Sequence, residues 1–345
     1  PAFVMQYDSF ELPLLDNPFT PGAPSMPEVS GLIGEWPCAA LPGEIEAGNI
    51  RALVNFGGSI MRSFPDINTL EPALRKLEVN VDFEVMANET TALSTHIFPT
   101  KDQVERPDIS LWDTLCGSLS MLYSPAVVSP VGERRSAWWV ISQIMRRMDL
   151  PVQDHVPERH DTEGADELML ASQMQGARCS FDELMRSGTV SKLLEVPGHW
   201  VDTHIEKIGG WRLAPEQLVK LWQEIRAEDE AQTGQPCGLS LTPRRQRRKL
   251  NASLSFLGSP ADILLHPDDA SVHGIADGQK VQVRTSQGEI VLTANISDRV
   301  RPSVASIPHG HESANVNYLT SVLYVDKMTG MVRYSGIPIE VTPIT

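Results

Sequence analysis

The chain has 345 residues, long enough for two or three domains that each bury a core. Its apolar content of 41% and charged content of 21% are those of an ordinary globular protein and argue against disorder. A formal charge of −15 opposes nucleic-acid binding by the chain as a whole. The four cysteines (Cys38, Cys116, Cys179, Cys237) stand far apart, with no C-x-x-C pair and no histidine at zinc-finger spacing. That usage predicts a reduced, cytoplasmic chain with neither a disulfide framework nor a structural zinc site. No apolar run approaches the ~20 residues of a membrane span, and the N-terminus lacks a basic region followed by an apolar one. The first residue is Pro1, which fits either a processed start or a piece of something longer.

Residues 1–45 are rich in proline and poor in periodicity, and read as an extended segment lying across a surface. From Asn49 a regular pattern begins. NIRALVNFGG (49–58) is a β-branched and apolar run stopping at Gly57-Gly58, which suits a buried strand entering a tight turn. NTLEPALRKLE (68–78) puts Leu70, Leu74 and Leu77 on one helical stripe, with Asn68 and Glu71 at capping-box spacing. VNVDFEVMA (79–87) reads as a second strand and THIFP (95–99) as a short third. Strand, helix, strand is the unit of an open α/β sheet, whose ligands sit at the carboxyl ends of the strands. On that geometry Gly57, Gly58 and Ser59 face a ligand after the first strand, and Glu84, Asn88, Glu89, Thr90 and Thr91 after the second. The glycines permit close backbone approach, and an acidic strand end suits a ribose hydroxyl or a guanine edge. Gly57-Gly58 is equally readable as a plain turn, since it is not the G-x-G-x-x-G fingerprint.

The pattern from 108 to 235 is helical. Helices are predicted over 133–150, 180–195 (with a Ser180/Glu183 capping box) and 214–230. Two histidines in HVPERHDTEG (155–164) could ligate a metal, but no third convergent ligand is visible, and solvated loop histidines are the stronger reading. Trp138, Trp139 and Trp222 read as core. AQTGQPCGLS (231–240) has linker composition. Beyond it, ADILLHP, QKVQVRTS, GEIVLTANI and RPSVASIP are short strands at the cadence of a small closed barrel or sandwich. The basic run RRQRRKLNAS (244–253) opens this region as a phosphate-seeking arm, and a loop rich in His and Asn closes it. A nucleic-acid patch is the weaker reading of RRQRRK, because the chain is acidic. Hydrolase readings fail, since neither a G-x-S-x-G elbow, a phosphate loop nor H-E-x-x-H occurs.

Four segments together resemble the C-terminal half of the molybdopterin oxidoreductases, the superfamily of dimethyl-sulfoxide reductase and formate dehydrogenase. EIEAGNIRALVNFGGSIMRSFPD (44–66) resembles the family's strand, Gly turn and "-NP-x-x-S-x-P-". VDFEVMANETTALSTHIFPTKDQVERPD (81–108) resembles its "E-T-A-x-x-A-D-V-V-L-P…E-R" pattern. Residues 263–310 resemble the molydopterin dinucleotide-binding domain, and NVNYLT (315–320) with TGMVRYSGIPIEV (329–341) resembles that domain's ending. The family's Asn-Pro after the glycines is Ser59-Ile60 here, and its Ala-Asp-Val-Val-Leu-Pro is Ser94-Thr95-His96-Ile97-Phe98-Pro99.

The resemblance implies a fold of α/β plus β: a partial Rossmann-like α/β nucleotide-binding unit (46–107), a helical connecting region (108–235) and a C-terminal double-psi β-barrel (236–345). It implies a bis(molybdopterin guanine dinucleotide) cofactor with molybdenum or tungsten. Gly57, Gly58 and Ser59 would border a nucleotide phosphate, with Glu84, Thr90 and Thr91 near guanine or ribose. Arg244, Arg245 and Asn251 fall in the arm contacting pterin and pyrophosphate, and His309, Gly310, Asn315 and Asn317 in the closing loops. None of the four cysteines lies in the context of the family's metal ligand, so no catalytic or metal-ligating residue is assigned, and the chain alone is not expected to turn over substrate or hold cofactor. The implied partner is the N-terminal part of the same enzyme, with neither nucleic acid nor membrane involved. The competing reading is a non-catalytic, diverged scaffold that binds a partner chain and has lost the cofactor.

Overall fold

A computed structural model of the chain describes residues 19–110, 118–159, 164–174, 179–193, 205–211, 213–232, 238–250, 252–254 and 257–344. The chain divides into two compact units, one comprising Asp16–Ile97 with Pro236–Thr345 and the other containing Phe98–Gln235.

In chain order the first elements are β1 (Phe19–Thr20), β2 (Gly31–Leu32), α1 (Leu41–Glu46), β3 (Ala52–Phe56), α2 (Ile60–Ser63), α3 (Ile67–Leu74), β4 (Val79–Glu84) and β5 (His96–Pro99). The proline-rich opening is thus not extended throughout: β1 and β2 form a small antiparallel pair and α1 begins at Leu41. β3 and β4 run parallel from Ala52↔Val79 to Phe56↔Phe83, with β5 completing a sheet of order β3-β4-β5. α3 lays Ile67, Leu70, Ala73 and Leu74 into a core shared with Ile45, Ile60 and Met61, the i, i+3, i+6, i+7 stripe of one helix face. Its cap corrects the expected one. Asp66, in the left-handed region at φ 54°, accepts from the Thr69 amide, whereas Asn68 donates from Nδ2 to the Gln287 and Tyr318 carbonyls. Asp tolerates that conformation better than most side chains, and its oxygen satisfies an orphan helix amide.

Residues 98–235 depart from the helical expectation. The elements are β6 (Asp108–Ile109), β7 (Ser118–Ser124), α4 (Ala137–Arg147), α5 (Ala165–Gln173), α6 (Phe181–Ser187), β8 (Thr189–Leu193) and α7 (Glu216–Gln232). β6, β7 and β8 form an antiparallel sheet of order β6-β7-β8 whose face buries Ile109, Met121, Leu184 and Val190. The helix predicted over 180–195 ends at Ser187: Gly188 takes φ 69°, its amide caps the Leu184 carbonyl, and the β-branched pair Thr189-Val190 continues as strand. Ser180 caps the Glu183 amide at 3.1 Å, as its spacing predicts. Trp138 and Trp139 are half-buried with their indole N–H groups on Asp166 and the Glu158 carbonyl. Trp222 is exposed beneath Arg226, contrary to the core reading.

The remaining elements are β9 (Leu239–Arg244), β10 (Asp262–Leu265), α8 (Pro267–Val272), β11 (Lys280–Arg284), β12 (Glu289–Ile296), β13 (Val304–Pro308) and β14 (Ile337–Pro343). The six strands close into a barrel of order β10-β12-β11-β14-β9-β13. Parallel pairs β9–β13 and β10–β12 alternate with antiparallel contacts, β11 lying antiparallel to both β12 and β14. Strict alternation builds its core. Val281 and Val283 of β11 point inward, as do Ile290, Leu292 and Ala294 of β12, while their neighbours face out. Leu241, Ile263, Leu265 and Ile307 are wholly inaccessible.

Candidate cofactor site

The segment after β3 meets the barrel's closing loop within one unit, and four side chains sew the two together. Asn315 Nδ2 donates to the Met61 carbonyl (2.6 Å) and Asn317 Nδ2 to the Arg62 carbonyl (2.8 Å). The Asp66 amide donates to Thr320 Oγ1 at 3.0 Å, and Asp66 Oδ2 accepts from the Val322 amide at 3.2 Å. Asn315 and Asn317, both buried, therefore act in this structure on backbone, not outward.

At the end of β3, Gly57 and Gly58 adopt φ 77° and 81°, a conformation few other residues take. The Gly58 amide donates to Glu84 Oε2 at 2.9 Å, and Glu84 also accepts from the Val85 amide and Asn88 Nδ2. The strand-end glutamate is thus a loop organiser as well as a half-exposed carboxylate. Ser59 Oγ lies 3.0 Å from Thr90 Oγ1, which also accepts from the Met61 amide; Thr91 Oγ1 bonds the Asn88 backbone. Ser59, Thr90 and Thr91 are buried, so they shape the loops from beneath.

The electrostatics concentrate one step further on. Arg62 of α2, 8% exposed, directs Nε to Glu89 Oε1 (2.7 Å) and Nη2 to Glu89 Oε2 (2.7 Å), and reaches the Ala252 carbonyl and Glu312 at 3.4 Å. Beside it is Lys249, 5% exposed, whose Nζ has no hydrogen-bond partner among the described residues. His311 Nε2 is likewise buried without a partner among them. Burial first, then the nearby Arg62 cation, pushes the Lys249 ammonium down to about 8, with Glu89 pulling weakly the other way. Burial, then Lys249, Arg244 and Arg62, push His311 down to about 4. Burial, Arg245 and Lys249 also lower His309.

Of the residues singled out in the basic arm, Arg244 spends its guanidinium on Asp262 and the Ser306 carbonyl, pinning β9 to β10 and β13. Arg245 is exposed, and Asn251 lies outside the described residues. His309 is half-buried, its amide donating to the Arg244 carbonyl at 3.1 Å, and Gly310 turns the chain at φ 77°. Lys249, His311 and Arg62 were missed at the sequence level. HGH (309–311) marks His311 by proximity, but nothing local distinguishes Lys249 from the four arginines around it. No group of three or more His, Cys, Asp or Glu at metal-binding separation occurs among the described residues. A cleft of about 370 Å³ lies alongside, lined by Met61, Asn88, Glu89, Glu312 and Asn315 among others.

Lys249 and His311 fix a pH dependence. Between about 8 and the ordinary lysine value of 10.5, unfolded chains carry a proton on Lys249 that folded chains lack, so stability rises with pH across that window. His311 acts in the same sense lower down: stability falls as pH drops from 6.5 toward about 4. Urea midpoints at pH 8 and pH 10 should therefore rise for the native chain relative to Lys249→Met. Parallel midpoints in the two proteins would show that Lys249 is not the buried group.

Residues 242–338 match the family described as the molydopterin dinucleotide binding domain. The chain is a relative of the molybdopterin oxidoreductases. It is 25% identical over 277 residues to the NADPH-Fe(3+) oxidoreductase subunit alpha of Geobacter sulfurreducens, covering 80% of this chain and 29% of that protein. It is 26% identical over 300 residues to the biotin sulfoxide reductase of Cereibacter sphaeroides, covering 76% and 39%. It is 24% identical over 284 residues to the F420-dependent formate dehydrogenase 1 subunit alpha of Methanococcus maripaludis, covering 79% and 40%. The chain thus spans less than half the length of these relatives. Acetylene hydratase from Pelobacter acetylenicus shares the fold with a TM-score of 0.66 at 18% identity, covering 92% of this chain and 49% of that one. No helix among the described residues is long and apolar enough to cross a membrane.

Proposed function

We propose that this chain supplies part of the bis(molybdopterin guanine dinucleotide) site of a molybdenum or tungsten oxidoreductase. The N-terminal part of the same enzyme would complete the cage and provide the metal ligand. Buried Lys249 Nζ and His311 Nε2, both lacking partners among the described residues beside Arg62, carry the reading. A buried ammonium without a counter-ion is costly, and a diphosphate supplies the missing charge and acceptors. In this proposal Lys249, His311, His309 and Arg245 face the anionic linkage. Gly57, Gly58, Ser59 and Glu84 border a nucleotide at the strand ends, with Thr90 and Thr91 holding that loop. Asn251 belongs to the same arm, while Arg244, Gly310, Asn315 and Asn317 fix the loops that present these groups. When bound, the group supplies two-electron redox chemistry at the metal; the chain's own residues bind and orient it.

In finer terms, the parallel β3–β4 pair with strand-end ligand loops supports a Rossmann-like unit over 46–107, and the two parallel pairs within a closed six-stranded barrel support a double-psi topology over 236–345.

The test is co-expression with the N-terminal part and analysis of the purified complex. The complex should contain molybdenum or tungsten and pterin, and Lys249→Met should still assemble with its partner while retaining roughly a tenth of the pterin or less, as loss of a charged hydrogen bond implies. An assembled complex with neither metal nor pterin would favour the diverged-scaffold reading instead.

A further inference from the structure

We propose that binding of an anion at Lys249 takes up a proton from solution, so that this arm grips its ligand at neutral pH and loosens as the medium becomes alkaline. The inference rests on the cofactor reading above and adds to it a linkage that the reading does not require.

The geometry comes first. Lys249 sits at the end of the basic run with its Nζ enclosed and unpartnered among the described residues. Glu89 is the carboxylate that bears on it, yet both Glu89 oxygens lie 2.7 Å from Arg62 nitrogens. Glu89 is therefore ion-paired with Arg62, although its Oε2 accepts no hydrogen bond among the described residues, and what Lys249 meets from α2 is a guanidinium. The closing loop offers His309 and His311, neither of which compensates a cation, and the carboxylate of Glu312, which lies 3.4 Å from Arg62. At the barrel end, Asp262 is taken by Arg244, and Arg245 adds a further positive charge. Among the described residues, each of these three carboxylates is thus ion-paired with an arginine, and the lysine is the group left over.

Such an amine resolves its burial by shedding its proton, consistent with its depression to about 8. A diphosphate reverses the balance. It brings negative charge and acceptor oxygens into contact with Nζ, the amine binds H⁺ from the buffer to become NH₃⁺, and the ligand's own charge is unchanged. His311, at about 4, is neutral in the free site throughout the range from pH 7 upward and contributes no proton there.

The experiment uses the full 345-residue chain and guanosine diphosphate, titrated calorimetrically at pH 7 and pH 8.5 in pairs of buffers with different ionisation enthalpies. The terminal phosphate of this probe, with a pKa of roughly 6, is largely ionised across that window. With Lys249 at about 8, Kd should weaken roughly fourfold from pH 7 to pH 8.5, and binding at pH 8.5 should absorb about three-quarters of a proton. Lys249→Arg, charged at any pH, should bind with no pH slope and no uptake. Binding by the native chain without proton uptake at pH 8.5 overturns this inference and leaves the cofactor reading standing. Failure of the native chain to bind the probe at millimolar concentration also overturns this inference, whereas the cofactor reading is decided by the metal and pterin content of the assembled complex. If Lys249→Arg does not fold, the uptake measured on the native chain decides alone.

Discussion

Glu89→Ala is expected to lower the unfolding free energy by about 3 kcal/mol. Arg62 is 8% exposed, and Glu89 is the carboxylate that meets its fork at 2.7 Å with both oxygens. Truncating one partner of a buried pair leaves the other charge enclosed, a loss of about 3–5 kcal/mol where both are fully buried. The Glu89 side chain keeps 21% of its exposure, which places the expectation at the low end. Urea denaturation of the native chain, Glu89→Ala and the double variant Arg62→Met/Glu89→Ala checks it. The double variant should recover most of the loss, because the Arg62 charge is removed together with its partner. If it is as unstable as the single variant, the damage comes from packing and not from charge.

Asn315→Ala is expected to cost about 2–4 kcal/mol. The side chain closes two buried hydrogen bonds at once, donating to the Met61 carbonyl and accepting from the Asn317 amide. Its removal strands both, and each unsatisfied buried group costs about 1–3 kcal/mol. Asn315→Asp separates the two contacts, since a carboxylate can keep the Asn317 amide but must face the Met61 carbonyl with a lone pair. It should be at least as destabilised near neutral pH and recover partly in acid, as the carboxyl protonates and regains a donor. Chemical denaturation at pH 7 and pH 4.5 measures both. Equal stability of native and Asn315→Ala chains would mean that Asn317, Thr320 and Asp66 suffice to hold the loop.

How much of this was legible in the sequence varied with the range of the cause. Barrel strands were readable because inward Val281, Val283, Ile290 and Leu292 alternate with polar neighbours, and period two is a local property. Gly188 ended a helix that the amphipathic pattern carried on to residue 195, a left-handed cap outranking periodicity. β6 and β7 went unread because their partners are set by pairing across the sheet and not by local spacing. At the candidate site, Gly57, Gly58 and Glu84 stand at the strand ends, as the local pattern predicts. Lys249 was not legible, because what separates it from Arg247 and Arg248 is enclosure: it is 5% exposed while they are exposed. Enclosure of one residue in a charged run is a tertiary fact. The same holds for the asparagines of the closing loop, whose amides could have matched a ligand edge and instead meet carbonyls some 250 positions earlier.

That long reach has a kinetic side. The contacts between 61–68 and 315–322 join segments separated by more than two-thirds of the chain, with a whole second unit threaded between them. Closing so large a loop comes late in folding, since its entropy must be met before the contacts reward it. During synthesis the strand-end loops would be formed and waiting while Lys249 and His311 are still unmade or unplaced. A ligand gripped by both halves can be gripped only after that final closure, so loading should follow folding and not guide it.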